Sequence, residues 1–202
     1  MGPGQRTRSR YNRIQYSGAT VPQLHPNPVQ LLWRYLPAVV LLIAAAAAGA
    51  QQQEVREIDK LFRGGDSALA MQRVDKAIAD KPRDAGLRFQ RAVMLTELKR
   101  TDEAIDALNR LIEDFPDLPE PYNNLAVLMA AQGRIDGARV LLETALRHDP
   151  AYAVAHENLG DVYIRLAQRE FDRASAAGRD DPTLQRKLKA TRELAATSSP
   201  AK

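Results

Sequence analysis

An all-α array of stacked helix pairs is the fold predicted by this 202-residue sequence. Three observations carry the expectation. Pro82, Pro116 and Pro150 stand 34 residues apart. Each closes a stretch with small or apolar residues at the same internal offsets, and Gly65 and Gly133 share one offset midway between them. Self-similarity at such a period marks units that share one core and do not fold singly.

Each unit is numbered so that its closing proline is position 32. Position 8 is then Ile58, Ala92, Ala126 and Gly160, and position 11 is Leu61, Leu95, Met129 and Tyr163. In the first three units position 20 is Ala70, Ala104 and Ala138. Position 24 is Val74, Leu108 and Leu142, and position 27 is Ala77, Leu111 and Ala145. Small residues at 8 and 20 let two antiparallel helices approach, and the larger ones at 11 and 24 fill the space between them. The proline ends the second helix, since it lacks an N–H and fixes φ. Position 15, held by Gly65 and Gly133, is where the chain reverses between the helices.

These recurrences resemble the tetratricopeptide repeat over residues 51–182. The unit 119–152 fits best, with Tyr122, Leu125, Ala126, Gly133, Ala138, Leu142, Ala145 and Pro150 on pattern. The unit 85–118 departs at Lys99, in place of the turn glycine, and at Arg91. The unit 51–84 is degenerate in its first helix, where Glu54 and Glu57 take apolar positions. The resemblance implies a right-handed superhelical array of antiparallel helix pairs that binds proteins without catalysis.

The fourth unit, 153–182, is atypical. In strict register its second helix places Asp172, Ala176 and Arg179 at core positions. Leu159, Tyr163, Ala167, Phe171 and Ala174 instead form one amphipathic stripe with no room for a turn. The sequence therefore predicts one long fused helix from about Ala151 to about Ala177. A capping helix follows over 183–197, with Leu184, Leu188 and Leu194 among many charges. Residues 198–202 read as a disordered tail.

Residues 1–35 are a basic leader without periodicity, which reads as disorder; a true translation start at Val29 or Leu31 is one explanation of its length. Residues 1–50 hold five arginines and no acidic residue. Residues 36–50 are apolar, follow Arg34 and end Ala48-Gly49-Ala50, which reads as a signal peptide cleaved after Ala50 and a periplasmic destination. Retention of 36–50 as an inner-membrane anchor is the alternative. The absence of cysteine excludes disulfides, zinc–thiolate sites, cysteine nucleophiles and a lipid-modified cysteine.

The chain has formal charge +4 and a pI near 9.5. Five of its 29 basic residues lie in 1–50, leaving 24 against 25 acidic ones, a net of −1 for 51–202. That near-neutral balance disfavours nucleic acid as a partner. His25 lies in the leader, so chemistry would rest on His148 and His156. His148 ends a helix, where a cation complements the dipole, and His156 occupies a packing position. A His148–Asp149–His156 metal site has only weak support from its spacing, and no phosphate loop, serine elbow or HExxH motif is present. No enzyme activity, cofactor or metal is expected.

The resemblance further implies that the first helices line a concave surface. Its candidate residues here are Phe89, Gln90 and Val93; Asn123, Asn124 and Val127; and Glu157, Asn158 and Asp161. Apolar floor and polar rungs suit an extended peptide or a helix. Asn124 and Asn158 share position 6, which makes them either two amide rungs for peptide backbone or residues that stabilise the helix pair, as is common at that position of such repeats. The clamp for Hsp70 and Hsp90 tails needs basic residues where Val154 and Asn158 stand, and is rejected. The expected function is an envelope scaffold or adaptor for a protein or peptide partner; the alternative is a membrane-anchored or self-associating structural subunit.

Overall fold

In the computed structural model the described residues are 52–197, together with 40, 41 and 49. The leader 1–35, most of the apolar stretch 36–50 and the tail 198–202 lie outside them. The repeats belong to the compact unit Ala50–Lys202. Among the described residues every element is helical: α1 over 52–63, α2 Ser67–Asp80, α3 Ala85–Glu97, α4 Thr101–Asp114, α5 Pro119–Ala131, α6 Ile135–His148, α7 Ala153–Ala176 and α8 Pro182–Thr197. The fold is the expected all-α solenoid of helix pairs.

The helix ends follow from local chemistry. α2, α4 and α6 each stop two residues before their proline, and the residue between, Lys81, Phe115 or Asp149, has left helical space with φ near −135°. A residue before proline is pushed out of the α region by the ring. Asp84 caps α3 by accepting the Leu87 N–H at 3.1 Å, and Asp181 caps α8 by accepting the N–H groups of Thr183 and Leu184 at 2.9 Å. The Asp181 carboxyl is held below its usual range first by Arg179 and then by these amides.

The reversals inside the helix pairs share one motif. Gly65, Lys99 and Gly133 have φ of +91°, +61° and +76°. At each, the residue's own N–H and the next one reach back to carbonyls three and five residues earlier, as in Lys99 to Thr96 and Arg100 to Leu95. Lys99 thus adopts a conformation that crowds its Cβ, which a glycine would not. Lys99→Gly is expected to raise stability by about 0.5–1 kcal/mol in urea denaturation. No gain would mean that the lysine side chain offsets its own strain.

Packing follows the predicted offsets. Ala70, Ala104 and Ala138 are fully buried, as are Val74, Leu108 and Leu142 one turn on. Two apolar clusters result. One gathers α1 to α5 around Leu95, Leu108, Leu111 and Leu125, and the other holds Ala126, Leu142, Ala145 and Val162 of α5 to α7. Met129 and Leu141 pack against both and join them. Close approach at this joint is marked by Gly137, where an added Cβ would lie 3.0 Å from the Met129 methyl.

α7 is one helix of 24 residues, as the stripe predicts. Its position 15 is Ala167, but the left-handed residue that ends it is Gly178, 11 positions later. Eleven residues are about three turns, so α7 runs on by about 16 Å without rotating its faces. The buried face is a correction to the sequence reading. Ala155, Asn158 and Val162 are buried, whereas Leu159, Ala167, Phe171 and Ala174 are only half-buried and Tyr163 is 49% exposed. The predicted stripe is covered only in part, Leu159 packing against the cluster of α5 and α6 and Phe171 meeting α8, while the buried positions lie beside it. α8 folds back on the distal part of α7, with Lys187 over the Phe171 ring at 5.5 Å and Arg192 on Asp172 at 2.9 Å.

Candidate binding groove

Three hydrogen bonds connect successive first helices, each spanning 35 residues. Gln90 Nε2 donates to the Val55 carbonyl at 2.9 Å, Asn158 Nδ2 to Asn123 Oδ1 at 2.8 Å, and Arg165 Nη1 to the Ala130 carbonyl at 3.1 Å. The separation is one repeat plus one residue, so position 6 of a unit meets position 5 of the unit before. Asn158 and Asn123 are 6% and 3% exposed. Asn158 is therefore a tie between α5 and α7, with one of its two amide hydrogens spent on Asn123.

Asn124 differs through its register. The same offset sets it against Phe89, which offers no side-chain acceptor, and the half-buried Asn124 amide has no partner among the described residues. Asn124 and Asn158 are thus not two equivalent rungs. Gln90, the candidate third, spends its amide nitrogen on Val55, while its Oε1 is buried without a partner. Asn158→Ala is expected to cost about 1–3 kcal/mol, because the Asn123 oxygen stays buried without a donor. Urea denaturation of Asn123→Ala, Asn158→Ala and the double variant checks this. The double variant should lose little more than either single one.

A cavity of about 200 Å³ opens between α5 and α7. Its floor is Ala126, Val127, Ala130 and Ala131, with Leu142 and Val162 behind, and Asn158, Asp161 and Arg165 stand at its polar side. Of the predicted residues, Val127, Asn158 and Asp161 come together here. Phe89 and Val93 are half-buried on α3, Phe89 packing against the larger cluster, and Glu157 is exposed. Leu142 was missed as lining because its offset reads as core, and Val162 because its offset is not among the groove positions of the resemblance. Their exposure to the cavity comes from the short side chains of Ala126 and Ala130 opposite, the one signal the sequence offers.

The histidines are engaged locally. His156 Nε2 donates to the Pro150 carbonyl at 3.0 Å, as the Tyr122 hydroxyl does to Pro116 one unit earlier at 2.9 Å. His148 stacks on the Tyr122 ring at 5.4 Å, and Asp149 accepts the Ala151 N–H at 2.9 Å. Among the described residues no group of three His, Asp or Glu is placed to hold a metal ion. Nor is any described helix long and apolar enough to cross a membrane. At the far end Arg169 pairs with Asp136 on α6, and that hydrogen bond raises the guanidinium pKa and lowers that of the carboxyl.

Helix pairs stacked in register, with a groove lined by first helices, define an α-solenoid of the protein-binding class. Models of the tetratricopeptide repeat match residues 55–119 and 129–191, and the chain belongs to that family. Among curated proteins it is 38% identical over 68 residues to the TPR repeat-containing thioredoxin TTL4 of Arabidopsis thaliana, covering 34% of this chain and 10% of that one. It is 29% identical over 117 residues to human tetratricopeptide repeat protein 16, covering 52% of this chain and 13% of that one. The chain thus spans only a small part of the relatives it matches. Similar solved structures include the first repeat domain of Spaghetti (RPAP3) bound to the HSP90 peptide SRMEEVD. That structure has TM-score 0.52 and 20% identity, over 57% of this chain and 92% of that one. The thermophilic repeat protein TTC0263 of Thermus thermophilus has TM-score 0.52 and 24% identity, over 69% and 80%. Both likenesses speak to fold.

Proposed function

We propose that this protein is a non-catalytic adaptor that binds a peptide or helix of a protein partner along the groove of its first helices. The observation that carries the reading is the cavity floored by Ala126, Val127, Ala130 and Ala131, with Asn124, whose amide has no partner among the described residues, one turn before Val127 on the same helix. Apolar depth takes a side chain, and an amide with both donor and acceptor can grip backbone. A solved structure of the same fold holds a peptide, although the basic clamp for Hsp70 and Hsp90 tails is absent here, so a different sequence is bound. The arginine-rich start and the apolar 36–50 support a role in the cell envelope, with export and cleavage after Ala50.

The test is photocrosslinking from position 131 in the full chain with its own leader, read by mass spectrometry. A partner captured by the native chain and lost from Asn124→Ala/Val127→Asp supports the reading. Equal capture by both removes the groove from consideration. The mature amino terminus, read in the same preparation, should be Gln51; intact 36–50 would make the protein membrane-anchored.

A further inference from the structure

The reversal of the fourth unit comes about three turns late, at Gly178, and α8 returns on the distal part of α7, which leaves α7 open at position 8. At position 8, Ile58, Ala92 and Ala126 are all buried, in the same clusters as the position-20 and position-24 residues of α2, α4 and α6. Gly160 holds that position on α7, and an added Cβ there would meet nothing within 4 Å. Tyr163 takes position 11, where Leu95 is fully buried, yet it is 49% exposed with its hydroxyl 3.4 Å from Glu143 on α6. Val140, one turn before Glu143, is 50% exposed at the offset where α2 and α4 carry the polar Gln72 and Asp106. α8 engages α7 at Phe171 and Asp172, beyond this face.

We infer that this face of α6 and α7 takes a helix from a partner protein, seated as α4 and α6 sit on α3 and α5. The seat continues an interface that the chain builds three times within itself, and the two copies with alanine at position 8 state what fits. Ala104 and Leu108, like Ala138 and Leu142, put a small residue at the point of closest approach and a leucine one turn later. The partner helix therefore carries alanine or glycine against Gly160 and a large apolar residue four positions on, against Tyr163 and Val140. Position 8 is isoleucine, buried at 2%, under α2 and alanine under α4 and α6, so the glycine at 160 matches the α4 and α6 copies of the interface rather than the α2 copy. The seat is separate from the groove and does not rest on it.

The probe is a stapled, fluorescein-labelled helix of residues 101–114, titrated with the full chain by fluorescence anisotropy. Saturable binding is expected, weakened about tenfold or more by Gly160→Leu, which overfills the seat. An Ala104→Leu version of the probe should lose affinity alike, and Asn124→Ala/Val127→Asp should bind it normally. Gly160→Leu replaces an exposed helical glycine by a better helix former, so its melting temperature should not fall. No saturable binding to the native chain, or undiminished binding to Gly160→Leu with its fold intact, overturns the inference. A concentration-dependent dimer that Gly160→Leu dissolves would overturn the partner and make the occupant a second copy.

Discussion

Leu108→Ala is expected to lower the stability of the folded unit by about 3 kcal/mol. Leu108 is fully buried at position 24 and shares its cluster with Leu95, Leu111 and Leu125, so the substitution removes apolar contact on every side. The smaller side chain leaves a cavity, and its neighbours are anchored on three different helices, α3, α4 and α5. Collapse into the space would need all three to shift, which places the cost inside the roughly 2–5 kcal/mol known for such changes. The midpoint of urea denaturation measures it. Hydrogen exchange should rise first in α2 to α4, because Leu108 lies in the larger cluster, which is distinct from the one that holds α6 and α7. A loss below about 1 kcal/mol would mean that α4 does not present this face to the core.

Ala167→Pro is expected to cost about 3 kcal/mol or more, and to do so at one end of the molecule. Residue 167 stands mid-helix in α7. Proline there deletes the hydrogen bond to the Tyr163 carbonyl, and its ring collides with that carbonyl. α8 depends on the stretch beyond, through Phe171 and Asp172, so both should loosen together. Exchange should become fast at Leu184 and Leu188, the buried anchors of α8, while Ala104 and Leu108 keep their protection. A variant that unfolds only as a whole would show that α7 and α8 are not a separable end.

Most of the architecture was legible because it rests on steric constraints that repeat. A proline, a left-handed turn residue and a pair of small residues each have one structural meaning, and three copies in register leave little room for another fold. α7 was legible too, since Leu159 to Ala174 form a stripe no turn could interrupt. The face it buries was not. That depends on which neighbour covers the helix, and a stripe shows only that something could. The groove was less legible for a related reason: an asparagine reads alike whether its amide faces solvent or a second amide. Asn158 and Asn124 share an offset, and only the residue across the interface, Asn123 for one and Phe89 for the other, separates them. Lys99 is the opposite case. It departs from the glycine pattern, yet the backbone holds to +61° regardless, as flanking helices override a residue's own preference.

The displaced turn at Gly178 has a consequence for how such a chain could grow. A tandem array is in principle an open series, since each unit presents the surface on which the next is laid. A duplicated segment inserted between residues 118 and 119 would find matched neighbours before and behind, because α4 and α5 already meet as one unit meets the next. After α7 it would not. A fifth unit needs the second helix of the fourth to lean on, and those residues have been drawn into the three added turns of α7 and the return of α8. Lineages descended from this gene should therefore gain or lose whole repeats upstream of Ala153 and keep the closing pair unchanged.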